Sequence, residues 1–170
     1  AGNIAVAGCR GHWRNAAAQN IETMRYAVIS DVHANAEAME RALADAEACG
    51  VDEIVCLGDI VGYGPMPAKS LALVRKHCRT VVAGNHDAAV AGRFDISAFN
   101  DLARDAAERH HGNLSRDDMA YLKSLPPTCR FGEAAGAHGD FTNPGAFEYV
   151  SSTAPRPSWP HRSMRAVPLP

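Results

Sequence analysis

"VVAGNHD", residues 81–87, begins as an apolar strand and stops on Gly84, Asn85, His86 and Asp87. A strand that only fills a core has no need of three consecutive side chains able to bind protons or metal at its end. The fold follows from asking whether the other strands of the chain stop the same way.

Outward from this stretch, apolar β-branched runs alternate with amphipathic patterns. "RYAVIS" (25–30) reads as a buried strand, and Met39, Ala42, Leu43 and Ala46 then form the apolar stripe of a helix. Asn35 suits its N-cap and Gly50 its stop. "EIVCLG" (53–58) is a second strand, a helix is predicted over 67–78 with Ala68, Leu71, Val74 and Cys78 inward, and "RTVVAG" (79–84) is the third strand. Strands alternating with helices imply βαβ units and a mostly parallel sheet, an α/β fold. Two further helices are predicted over 100–111 and 116–124. The second opens on a capping-box pair, Ser115 and Asp118, and closes at Pro126 and Pro127. "TCRF" and "EAAGAHG" then read as a hairpin of short strands.

Composition excludes several classes. The 170 residues suffice for one domain, and 46% hydrophobic, 21% charged and a net charge of −2 describe an ordinary globular chain. No basic surplus points to nucleic acid, so none is expected as a partner. The apolar runs fall far short of the ~20 residues that span a bilayer, so no membrane partner is expected either. Cys9, Cys49, Cys56, Cys78 and Cys129 are scattered and odd in number, with no C-x-x-C pair, which fits neither a disulfide framework nor a zinc ribbon. A reducing, cytoplasmic location is the expectation. Oligomeric state is not legible.

The strand ends share one chemistry. The first strand runs into "SDVHAN" with Asp31 and His33, the second into "GDIVGYG" with Asp59, the third into Asn85, His86 and Asp87, and a later one into "AHGD" with His138. In a parallel α/β sheet the carboxyl ends open on one edge, where ligands bind, so these side chains are expected to converge. An extended Asp-x-His puts both groups on one side, ready for a single ion. Asp59 has two oxygens and can bridge two ions, while Asn85 and His138 offer an amide oxygen and an imidazole nitrogen to the second. Mixed oxygen and nitrogen ligands without cysteine suit Mn²⁺ first, with Fe, Ni or Zn²⁺ as alternatives, and argue against Ca²⁺ and structural zinc. Two such ions hold a bridging hydroxide in line with a phosphorus atom, which is metal-assisted phosphoester hydrolysis. His86 is then the expected acid, donating to the phosphoryl oxygen and protonating the leaving group, and Asp87 the group that fixes its tautomer.

Singly, each piece has a plainer reading. Asp31 and His33 make a capped turn, "GNHD" a type I′ turn, His138 a satisfied core histidine; His110 and His111 read as surface residues that favour the dipole at a helix C-terminus. The occurrence of four such strand ends in one chain decides for the site.

"SDVHAN", "GDIVGYG", "GNHD" and "AHGD" together resemble the calcineurin-like metallophosphoesterase superfamily, and "MRYAVISDVHAN…VDEIVCLGDIVGYG…VVAGNHD" is similar to its small bacterial phosphodiesterase branch. The resemblance spans about residues 24–150. It implies a four-layer α-β-β-α sandwich, with Asp31 and His33 on a first ion, Asp59 bridging, Asn85 and His138 on a second, and His86 with Asp87 in acid chemistry. It also implies a hydrolase acting on a small phosphodiester or phosphomonoester. The Gly-His-x-His motif that ends the family pattern has no match after His138, so each ion is expected to keep three protein ligands and the fold to be incomplete at its C-terminus. The alternative expectation is a catalytically impaired binding module or gene remnant.

The flanks differ from this middle. Residues 1–23 lack a strong period and read as an irregular extension before Met24. Residues 151–170 contain five of the ten prolines, three arginines and no acid, and read as an irregular tail that holds His161. The change near Val150 reads as a truncated or frame-shifted end. The expected organisation is therefore an extension over 1–23, a phosphoesterase domain over 24–150 and a tail over 151–170.

Overall fold

A computed structural model describes residues 24–148. The extension over 1–23, the tail and its His161 lie outside the described residues.

Three strands form a parallel sheet in the order β1-β2-β3: β1 (Tyr26–Ile29), β2 (Glu53–Cys56) and β3 (Thr80–Val81). Val28 lies opposite Val55, and Cys56 opposite Val81. Between them run α1 (Ala36–Ala48) and α2 (Pro67–His77), as the alternating pattern requires. Then come α3 (Asn85–Val90), α4 (Asp101–Asn113), α5 (Arg116–Ser124) and an antiparallel hairpin of β4 (Thr128–Phe131) and β5 (Ala134–Ala137).

Strand alternation sends side chains to both faces of the sheet, and both faces are covered. Ile29, Ile54, Cys56 and Val81 point to a cluster to which every helix contributes, through Met39, Leu71, Ala88, Ala107 and Leu122. Burying each large aliphatic side chain there is worth about 1.5–3 kcal/mol. Tyr26, Val28, Val55, Leu57 and Val82 face the hairpin instead, against Cys129 and Phe131. The result is the expected α/β architecture, with three of the four layers among the described residues: helices, parallel sheet and a two-stranded second sheet. No described helix covers the outer face of the hairpin. Nor is any described helix long and apolar enough to cross a membrane.

Locally capped helices match the sequence reading closely. The Asn35 side chain accepts from the Ala38 amide, and Ser115 and Asp118 form the reciprocal box that starts α5. Other expectations change. Ala68 is exposed, and Ser70 takes the buried place on α2. The third strand ends early: Val82 N still donates to Cys56 O, but Ala83 N turns to Pro126 O, 2.8 Å away. Asn85, His86 and Asp87 consequently lie in the first turn of α3, not on a strand end or in a type I′ turn.

Candidate metal centre

The loops that follow β1 and β2 are zipped to each other. Asp31, His33 and Ala34 amides donate to the carbonyls of Gly58, Asp59 and Ile60 at 3.0, 2.8 and 2.8 Å. Asp31, His33, Ala34, Asp59 and Tyr63 all adopt left-handed backbone conformations, with φ between 48° and 58°. Asp31 and His33 are thus not the extended pair expected from their spacing; the curled loop, clamped by these bonds, turns both toward Asp59. Each such non-glycine residue costs roughly 1–2 kcal/mol, and strain of this kind gathers at functional sites.

The fold brings the side chains from all four strand ends together. His33 Nε2 lies 3.6 Å from Asp31 Oδ1 and 3.7 Å from Asp59 Oδ2, and His138 Nε2 lies 3.5 Å from the same Asp59 oxygen. Two compact groups result, one of His33, Asp59 and His86, the other of Asp31, Asp59 and His138. Asp59 belongs to both, as a bridging carboxylate must. His86, expected to stand apart from the ligands, falls in with His33. Asn85 adds its amide oxygen 3.1 Å from His138 Nε2.

The tautomers suit cations. His33 Nδ1 faces Val61 O at 3.3 Å and His138 Nδ1 faces Leu57 O at 2.9 Å, so in its neutral form each ring donates to a carbonyl through Nδ1 and turns a bare Nε2 to the cluster. His138 Nε2 and Asn85 Oδ1 then oppose each other as two lone pairs, an arrangement that a cation between them resolves. Asp59 is 3% exposed, and one of its oxygens takes the His86 amide at 2.9 Å while the other meets only imidazoles. Burial pushes the Asp59 pKa well up and nearby Asp87 adds to this, by more than His33 offsets. Asp31 behaves oppositely: its bond to His33 holds its pKa down at about 2. Burial opposes charge on His33, yet Asp31 and Asp59 outweigh it and raise its pKa. The donor set fits divalent cations.

His86 and Asp87 take other places than their expected partnership. Both Asp87 oxygens are engaged by backbone, Oδ1 by the Ile60 and Val61 amides and Oδ2 by the Gly84 amide. It therefore pins the loop after β2 to the start of α3 and does not bond the His86 imidazole. His86 Nδ1 is buried without a hydrogen-bond partner. A Cβ on Gly62 would collide with this nitrogen, so only glycine fits there. Burial, with His33 and His138 nearby, lowers the His86 pKa to about 4. Its ring packs between His33, Tyr63 and Phe99, with centroids 4.9, 4.7 and 4.8 Å away.

The sequence reading missed His110. It is 4% exposed and uses both ring nitrogens: Gly62 N donates to Nδ1 at 3.1 Å, and Nε2 donates to Gly64 O at 2.9 Å. This fixes the Nε2–H tautomer and ties α4 to the turn that carries Tyr63. Burial lowers its pKa. Only its place on the apolar stripe of α4, with Ala103, Ala106 and Ala107, could have signalled this. His111 stays at the exposed end of the helix, its Nδ1 2.8 Å from Val90 O.

Comparison with known proteins gives the family and the fold. The sequence pattern of the calcineurin-like phosphoesterase family matches residues 24–159. Uncharacterized protein MJ0912 of Methanocaldococcus jannaschii is 41% identical over 101 residues, 59% of this chain and 41% of its own length. The crystal structure of a metallophosphoesterase from Sphaerobacter thermophilus is similar at a TM-score of 0.63 and 42% identity, over 76% of this chain and 52% of that one. Hypothetical protein PH1004 from Pyrococcus horikoshii OT3 shares the fold at a TM-score of 0.61 and 21% identity, over 72% and 57% of the two chains. This chain spans about half the length of these relatives.

Proposed function

The chain belongs to the calcineurin-like phosphoesterase family, and from that premise we propose that it hydrolyses a small phosphodiester or phosphomonoester with two divalent cations, Mn²⁺ in the first place. The observation that carries this reading is the shared Asp59 oxygen, 3.7 Å from His33 Nε2 and 3.5 Å from His138 Nε2. Bound there, the cations supply activation of water and neutralisation of the phosphoryl oxygens. His33 and His86 on one side and Asp31, Asn85 and His138 on the other are the residues that would hold them with Asp59.

The chain's own groups do the positioning. Val61 and Leu57 carbonyls keep the two imidazoles in the ligand tautomer, and Asp87 keeps the loop after β2 against α3. A charged imidazole needs partners for both N–H groups, and buried His86 Nδ1 has none. At neutral pH His86 is therefore a neutral ring. When it is not holding an ion, it serves through Nε2 as a hydrogen-bond donor to a phosphoryl oxygen rather than as a proton-delivering imidazolium.

The test is elemental analysis of the purified chain alongside hydrolysis of bis(4-nitrophenyl) phosphate with and without added Mn²⁺. About two ions per chain and turnover abolished by chelator are expected. An absence of both overturns the reading and leaves a binding module with the family's fold.

A further inference from the structure

Two of the surface clefts are similar in size, about 560 and 570 Å³ in volume. The first lies beneath the amino ends of the strands and is lined by Glu40, Glu47, Asp52 and Glu53 against His77 and Arg79. The second has no acidic residue in its lining. Tyr63, Met66, Lys69, Arg109, His110 and Asn113 bound it, with the prolines on either side of Met66.

Of these two, the second adjoins the metal cluster, through Tyr63, while a smaller cleft of about 240 Å³ is lined by Asp31 and His138 themselves. The Tyr63 ring stands 4.9 Å from His33 and 4.7 Å from His86, yet is 44% exposed. Its backbone is left-handed, and the turn that holds it, Gly62 to Gly64, is clamped at both ends by buried His110. A conformation so costly, so far from the chain's local preference and fixed from another helix, presents a rigid aromatic face to the cleft. Lys69 is engaged by Glu40 at 2.9 Å. Arg109 faces the cleft with no carboxylate in ion-pair reach among the described residues; its Nε donates to Asp105 O at 3.3 Å, leaving the rest of the guanidinium fork.

We propose that this cleft is the leaving-group subsite, and that it takes a phosphoester whose leaving group combines a flat ring, laid against Tyr63, with a second negative charge, met by Arg109. The inference rests on the phosphoesterase reading and adds the substrate class. Tyr63 and Arg109 set specificity, and His110 is a positioning residue.

Two aryl phosphates matched in leaving-group pKa, one with a ring carboxylate and one uncharged, test it on the full 170-residue chain with Mn²⁺. KM should be about tenfold lower for the carboxylated ester, the scale of one charge-assisted hydrogen bond. Arg109→Gln should erase that difference and Arg109→Lys keep part of it. In parallel, the corresponding aryl phosphonates are titrated into metal-free protein by ligand-observed NMR. The same tenfold preference in Kd is expected, again lost in Arg109→Gln, and Tyr63→Leu should weaken both aryl ligands but not methylphosphonate. Turnover of neither ester sinks the phosphoesterase reading, while the phosphonate titration still decides the cleft. Equal KM and Kd for charged and uncharged ligands, or a preference indifferent to Arg109, overturns the subsite.

Discussion

The two ends of the parallel sheet obey different rules. At the amino ends, polar groups pair in solvent or at its edge: Asp52 accepts from Arg25 N at 2.7 Å, Thr80 donates to Glu53 at 2.8 Å, and the one left-handed residue, Gly50, is a glycine that closes α1. At the carboxyl ends, Asp31, His33, Ala34, Asp59 and Tyr63 are left-handed with side chains, and Asp59, Asn85, His86 and Asp87 are buried. One end follows intrinsic preference; the other is held against it by bonds between loops. Strain and buried charge sit where ligand groups must converge, and the rest of the sheet carries their cost.

The largest break in this contrast is Asp59→Asn. Metal content and hydrolysis should fall to background, since both groups lose their common charge. Stability of the metal-free protein should move the other way. Burial raises the Asp59 pKa above 3.8, so the folded state keeps its proton to higher pH than the unfolded chain, and wild-type stability drops as pH rises through that interval. With chelator present, the asparagine variant should melt above wild type at pH 8, and the gap should close toward pH 4. A lower melting temperature at pH 8 would contradict a buried, uncompensated carboxylate.

His86→Gln comes next. Loss of one preorganised donor should lower kcat by about 10²–10³-fold. The metal-free wild type should also lose stability as pH falls from 6.5 toward about 4, because the unfolded histidine takes a proton that the buried one refuses. Much of that slope should vanish in the variant; an unchanged slope would place the titration elsewhere.

Gly84→Ala tests the packing behind the chemistry. A Cβ there would run into the Asp59 carboxylate and amide, both in the buried site. Denaturant unfolding should show a loss of about 2–3 kcal/mol, with impaired metal retention. The smallest effect belongs to the other end: Thr80→Val removes the bond to Glu53 with little change of shape, costs about 1 kcal/mol or less, and leaves metal content intact. A loss of metal in that variant would mean that the two ends are not independent.

Much of this was legible in the sequence because it is written in local interactions. Asn35, Ser115 and Asp118 start their helices through bonds to residues three positions away, and β-branched runs mark strands whose alternate faces are both apolar. Four strand ends with ligand-type side chains were enough to expect one site, since parallel strands open on one edge. Tertiary structure alone decided how those ends are shaped. Asp31 and His33 curl because their own amides donate to carbonyls 27 and 26 residues further along the chain, those of Gly58 and Asp59, and the third strand stops because Ala83 finds Pro126. Asp87 leaves His86 for three backbone amides, two of them 26 and 27 residues distant. His110 leaves the surface for partners 46 and 48 residues earlier, Gly64 and Gly62. Periodicity and capping encode bonds within a turn or a strand; where a polar side chain finds its partner across loops is fixed only when packing removes water and every buried donor must be met.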